Sequence, residues 1–250
     1  MRRTTRALLP LAAAAVPFAM MAAPAQADSG TFQTTLNPLN HSSGSGMAMI
    51  TLNGNTAHVT LSWSGLAATF NGAAYPHVEH IHIAGNGQCP TTAADKNGDG
   101  VISTTEGAPA YGGIGTTLSV MGDTSPKAGT DIKIAPSGSS TNYHRTIQLS
   151  NDAASSVRNG TGVVVVHGLD PATLSKKAQT EKSDLVPSLP LAATSPALCG
   201  VLSASPSGGV AAGTGSTAGV EDLGLLAAGG GLVALGAGLF AVRRRATAKA

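Results

Sequence analysis

Aromatic side chains are scarce in this 250-residue chain, at 3%, and Trp63 is its only tryptophan. So few ring faces argue against a carbohydrate-stacking surface. A basic excess is missing where it would count. The chain as a whole carries +2, but residues 28–222 hold all 13 acidic residues and only 8 of the 15 Lys and Arg, a net of −5. Nucleic-acid binding needs a basic face, and this segment offers none. No Gly-rich phosphate loop and no spacing of a Ser-His-Asp or paired-carboxylate kind stands out, so nucleotide and hydrolase chemistry lack support. Cysteine is limited to Cys89 and Cys199.

The basic residues gather at the ends. Residues 1–27 begin with Arg2, Arg3 and Arg6, continue as an apolar stretch and close on Ala25-Gln26-Ala27. That is the pattern of a secretory signal peptide cleaved before Asp28. Residues 223–242, Leu223 to Val242, are 20 residues without a charge, followed by Arg243-Arg244-Arg245. A helix of that length spans roughly 30 Å, the thickness of a bilayer core. The arginines predict a cytoplasmic tail at 243–250, with the bulk of the chain on the extracellular side of the membrane. A sortase signal also ends in an apolar stretch and arginines, but no LPxTG precedes this one, and "LAATS" (Leu191 to Ser195) is a distant match. A retained single-pass anchor is the expectation. Residues 203–222 are rich in Ser, Gly, Ala and Thr, with Glu221 and Asp222 at the membrane edge, and read as a flexible stalk.

Residues 28–202 remain, enough for one domain with a sizeable core. In an exported chain, two cysteines are by default a disulfide. Closing a loop as long as that from Cys89 to Cys199 contributes about 4–5 kcal/mol in the chain-entropy model. The segments 31–36, 47–52, 56–66, 77–83, 131–134, 143–149 and 162–166 show period-2 alternation or β-branched enrichment, which predicts strands. "LNGN" (52–55) places Asn-Gly between two of them, a hairpin signal. Short helices are expected near Asp152 to Arg158 and from Asp170, which can N-cap with Pro171 in the first helical position. Short strands punctuated by Gly, Pro and Asn make an all-β sandwich or barrel.

On the strand "HVEHIHI", His80 and His82 project from one face, with His77 and Glu79 on the other. Two imidazoles a few ångströms apart suit copper or zinc. "HIHIAGNGQC" (80–89) resembles the strand and loop of copper/zinc superoxide dismutases, in which His-x-His supplies two copper ligands and a cysteine follows. "VVVVHGLD" (163–170) resembles the later strand that ends in a further copper ligand, here His167. "LCGVL" (198–202) resembles the last strand with the other half-cystine, here Cys199. The chain is still more similar to secreted bacterial CHRD-domain proteins. Together these resemblances imply an antiparallel Greek-key β-sandwich, a Cys89–Cys199 disulfide and a copper site of His80, His82 and His167. They stop short of the enzyme. From Cys89 to Tyr143 there is no histidine, which removes the bridging and zinc ligands, and Pro196 stands where the dismutases carry an anion-guiding arginine. A net negative segment would also steer an anion poorly.

Residues 95–106, "DKNGDGVISTTE", satisfy D-x-[DN]-x-[DN]-G-x5-E at every position. Calcium takes 6–8 oxygens, and a tight loop aims alternate groups at one centre. Asp95, Asn97, Asp99, the Val101 carbonyl, Ser103 and Glu106 are the expected donors. Gly100 permits the turn, and Ile102 pins the loop to a core. Neither flank reads as a helix, so the expectation is a structural clip rather than a sensor, which works by changing the angle between two helices. Its affinity would be that of extracellular modules, at roughly 10⁻⁴–10⁻³ M.

These readings converge on a membrane-anchored extracellular module, stabilised by calcium and a disulfide and non-enzymatic, with an unidentified ligand. The alternative is a copper protein of superoxide-dismutase type, redox-active through His80, His82 and His167.

Overall fold

The structure, a computed structural model, describes residues 29–205. The expected signal peptide, membrane anchor and tail, and the stalk beyond Ser205, lie outside the described residues. Among the described residues no helix is long and apolar enough to cross a membrane.

The strands are β1 (Ser29–Pro38), β2 (Ser45–Asn53), β3 (Thr56–Ser64), β4 (Thr69–Phe70), β5 (Ala73–Ala74), β6 (Glu79–Ala84), β7 (Gly112–Thr117), β8 (Ser140–Gln148), β9 (Val163–His167), β10 (Pro196–Val201) and β11 (Ser203–Ala204). The helices are α1 (Thr104–Tyr111), α2 (Asn151–Arg158), α3 (Lys176–Thr180) and α4 (Leu191–Thr194). All but the β4–β5 pair form one curled antiparallel sheet, in the order β7-β6-β9-β10-β1-β2-β3-β8, with β11 also on β1. The curl turns on β1. Its residues Ser29 to Leu36 pair with β2, while Asn37 and Pro38 pair with Cys199 and Leu198 of β10.

Alternation in the sequence decides which residues the curl encloses. Phe32 and Leu36, Ala48, Ile50 and Leu52, Ala57, Val59, Leu61 and Trp63, and Tyr143 and Ile147 point inward from one half of the sheet. Ile81, Val164, Val166 and Leu198 meet them from the other. Each large apolar side chain buried this way contributes about 1.5–3 kcal/mol. The β2–β3 turn at Gly54-Asn55 joins partners Asn53 and Thr56, as the Asn-Gly signal predicts.

Several boundaries differ from expectation. Residues 131–134 form a 3-10 turn, Ile132–Ile134, whose backbone Asp131 caps by accepting from Lys133 N–H. Alternating composition without a neighbouring strand does not make a strand. Asp170 caps a 3-10 turn, Pro171–Thr173, and the α-helix that follows has its own cap, Ser175. The sheet also runs past residue 202, because β11 pairs Ser203 and Ala204 with Gln33 and Phe32.

Candidate metal centre

β6 and β9 run antiparallel, with His80 opposite Val165 and His82 opposite Val163. Alternation therefore sets His80, His82, Val163, Val165 and His167 on one face, turned away from the main core. Glu79 and Ile81 turn the other way. The histidine face is covered by a second, smaller apolar cluster of Tyr111, Val163, Val165 and Cys199, with Cys89 against it. Cys89 and Cys199 are joined in a disulfide, with Cα atoms 5.8 Å apart.

All three histidines are buried. Ring centroids lie 5.4 Å apart for His80–His82, 5.2 Å for His80–His167 and 5.7 Å for His82–His167, and Tyr111 packs edge-on to His82 at 4.6 Å. Each ring is oriented by one backbone carbonyl. His80 Nε2–H donates to Gly129 O at 2.9 Å, His82 Nδ1–H to Gly112 O at 2.9 Å, and His167 Nδ1–H to Thr194 O at 2.6 Å. A carbonyl only accepts, so in the neutral rings the opposite nitrogens carry bare lone pairs. Those atoms, His80 Nδ1, His82 Nε2 and His167 Nε2, are buried without a hydrogen-bond partner. One ligand nitrogen from each residue lies within 4.8 Å of the others.

The rings are neutral for a physical reason. Burial pulls the His80 pKa well below its usual value, with further lowering from His167 and His82. Burial likewise takes His82 down to about 3 and His167 to about 4, against the pull of their carbonyl partners. Three neutral imidazoles, each fixed by a carbonyl on its far nitrogen, form a donor set that fits copper or zinc.

The carbonyls come from three separate elements. Gly112 ends α1 with φ 90°, and a Cβ there would sit 1.9 Å from Ile83 O, so only glycine holds that carbonyl over His82. Gly129 follows a 3-10 turn at Pro126–Ala128, and Thr194 ends α4. Pro196 lies opposite His167 in the β9–β10 register and is buried, so the position carries no charge beside the site.

Behind the histidine face, Glu79 is buried in the main core. Its Oε1 accepts from Trp63 Nε1–H, its Oε2 has no partner, and burial pushes its pKa up to about 8. His77 lies in the same layer, edge-on to Trp63 at 5.0 Å and between the carbonyls of Ala67 and His167.

The expected calcium loop has a helix on one side after all. Its last residues start α1, with Ser103 as N-cap and Glu106 in a reciprocal capping box. Glu106 Oε2 accepts from Ser103 N–H at 2.9 Å and Ser103 Oγ from Glu106 N–H at 3.3 Å. Gly107 and Pro109 hid this helix in the sequence, because both are poor helix formers, yet the capping box suffices to start it. The other flank holds only a 3-10 turn, Thr92–Ala94, so the two-helix arrangement of a sensor is not built here.

Within the loop, Asp95 accepts from Gly98 and Gly100 N–H at 2.8 and 2.9 Å, and Asp99 Oδ1 accepts from Val101 N–H at 2.6 Å. Asn97 Oδ1 accepts from Asp99 N–H at 2.8 Å, and Glu106 Oε1 accepts from Lys96 N–H at 2.8 Å. Gly100 has φ 89°, as the sharp turn requires. Two carboxylates distant in sequence join this cluster. Ser103 Oγ–H donates to Asp184 Oδ2 at 2.6 Å, and Glu181 lies beside Asp99, whose hydrogen bond and charge push the Glu181 pKa up.

Backbone carbonyls of Gly112, Gly129 and Thr194 leave no mark in a sequence. Glu181 and Asp184 bring extra acidic groups to the loop, and nothing in their spacing in the sequence points to it. Comparison of the chain with protein-family models and with curated proteins finds no match, so the site stands on its geometry alone.

Proposed function

We propose that the chain is an exported, membrane-anchored β-sandwich module of the CHRD and superoxide-dismutase-like kind, whose chemical content is a buried copper centre held by His80, His82 and His167. One observation carries the reading: three imidazole lone pairs are buried, unpartnered and turned to one place. Leaving a buried acceptor unsatisfied costs about 1–3 kcal/mol each. A cation shared by the three offsets all of them at once. Imidazole donors suit copper, which stands highest among the divalent first-row metals. When bound, copper supplies a one-electron couple and a fixed positive charge. The chain's own residues hold the rings in one tautomer and exclude water.

The module reads as a metal-holding surface protein rather than a catalyst. The lone-pair atoms are closed off from solvent, Pro196 stands opposite His167 where a dismutase arginine would guide an anion, and the exported segment is net negative. Redox activity of dismutase type is the second reading, favoured by the same three histidines. Calcium at Asp95, Asn97, Asp99, Val101, Ser103 and Glu106 is the structural part of the proposal. It is supported by the complete loop pattern and by carboxylates of Asp99 and Glu181 set side by side, where a cation would relieve their repulsion.

Metal analysis of the purified chain after equilibration with copper and desalting tests the centre. Stoichiometric copper, lost in His80→Ala and His167→Ala, supports it. Equal copper in wild type and variants overturns it. Superoxide turnover by the copper-loaded chain decides between the two readings.

A further inference from the structure

The outer face of the sheet carries a second set of soft donors, far in chemistry from the acidic loop and on different strands from the buried histidines. β2 turns Met47 and Met49 outward at 63% and 45% exposure, among positions otherwise filled by Ser, Thr and Asn. Register places Met49 directly opposite Thr60 of β3, and Thr60 directly opposite His144 of β8. His58 lies two residues before Thr60 on the same strand and the same exposed face. Met49, His58 and His144 therefore surround Thr60 on three sides.

The two imidazoles are oriented alike. His58 Nδ1 is 2.8 Å from Thr146 Oγ1 and His144 Nδ1 is 3.3 Å from Thr60 Oγ1, each threonine standing opposite its histidine across the β3–β8 pair. In the Nδ1–H tautomer each ring donates to its threonine and presents the Nε2 lone pair to solvent. A hydrogen bond from the far nitrogen fixes the tautomer and orientation of a metal-binding imidazole. Diagonal neighbours on adjacent strands have Cβ atoms within about 7–8 Å, a gap that two imidazoles can bridge to one ion. Met49 is unbranched and flexible enough to bring its thioether over Thr60 from the other side.

The donor set selects the ion. The outward positions of β2, β3 and β8 hold Ser, Met, Thr, Asn, His and Gln and no carboxylate. Hard cations such as calcium and magnesium need anionic oxygen and find none. A thioether with two imidazoles suits a soft monovalent cation. We propose that Met49, His58 and His144 form a solvent-facing site for copper(I), with Met47 as an adjacent thioether. It is distinct from the buried centre and would let the protein take up copper from solution on one face while holding it in the interior.

Silver(I), a redox-inert probe of the same charge and softness, tests this on the full chain. Both cysteines are paired, so no thiol competes. The ε-methyl resonance of Met49 and the ring protons of His58 and His144 are expected to move together during titration. Met49→Leu and His58→Gln, both at exposed positions, should weaken this response more than about tenfold without unfolding the chain. A Met49 methyl that does not move, or variants that titrate like wild type, overturns the site. The same titration on His82→Ala separates this site from the buried one. An unchanged Met49 response there supports the surface site even if the buried centre fails, whereas a lost response means that silver was reporting on the interior, and the proposal falls.

Discussion

The side-chain amide of Asn40 pairs with both backbone groups of Ile102: Nδ2–H donates to Ile102 O at 2.9 Å, and Oδ1 accepts from Ile102 N–H at 2.7 Å. Nδ2 also donates to Pro196 O at 2.9 Å. An isolated loop thus gains from a side chain the pairing that a neighbouring strand would give. Asn40 holds φ 51°, a left-handed conformation that asparagine tolerates better than most residues.

Asn40→Ala removes these bonds and leaves buried groups of Ile102 without partners. The expected loss is about 2–4 kcal/mol, read from the urea midpoint at an unchanged slope. Loss below the error of the measurement would show that the loop is held by something else.

Calcium should raise the melting temperature of the wild-type chain, and Asp95→Ala and Glu106→Ala should abolish that rise. Glu181→Gln is expected to act in two directions. It removes the repulsion with Asp99 and so stabilises the calcium-free chain, while reducing the gain on adding calcium. A melting curve that responds to calcium equally in all four proteins contradicts the assignment.

The metal-free protein should be most stable near pH 6.5. Folded His82 and His167 titrate at about 3 and about 4, below the usual 6.5, so the unfolded chain binds more protons there and stability falls as pH drops below 6.5. Glu79 acts oppositely. Its folded value of about 8 lies above the usual 4.5, so the folded chain holds the extra proton and stability falls as pH rises towards 8. Between 4.5 and 6.5 the histidines outnumber the carboxyl, which places the maximum. Above it, Glu79 alone costs about 2 kcal/mol by pH 8. Glu79→Gln should flatten that upper limb in chemical denaturation at fixed pH values.

Reduction of Cys89–Cys199, or Cys89→Ser with Cys199→Ser, is expected to cost about 4–5 kcal/mol in the chain-entropy model. It should also speed copper loss to a chelator, because the bridge fastens the segment that covers His82. Equal release rates in the oxidised and reduced chain would separate the disulfide from the centre.

Where alternation and burial coincide, the sequence is readable. "MAMITL" lies in β2, while "HVEHIHI" and "GVVVV" start two residues before β6 and one before β9, and the same alternation that makes the core also puts His80 and His82 on one face. β7 escapes notice because "GGIGTT" is too rich in glycine to show a period, and its place is set by pairing with β6. α1 is hidden by Gly107 and Pro109. The three histidines could be named in advance, but the carbonyls that orient their rings could not, since any residue's carbonyl looks the same in a sequence. The surface methionines, by contrast, are visible as Met-x-Met, yet only the register with β3 and β8 brings them near His58 and His144.

The carbonyl of Thr194 accepts from His167 at 2.6 Å and from Thr104 Oγ1–H at 2.5 Å, the second being the first residue of the helix that leaves the acidic loop. One oxygen, with two lone pairs, is therefore shared by the histidine cluster and the helix that leaves the acidic loop. Anything that shifts the start of that helix also shifts the atom that decides which nitrogen of His167 keeps its proton. If copper and calcium bind as proposed, the order in which they are added should then matter to the rate of the second.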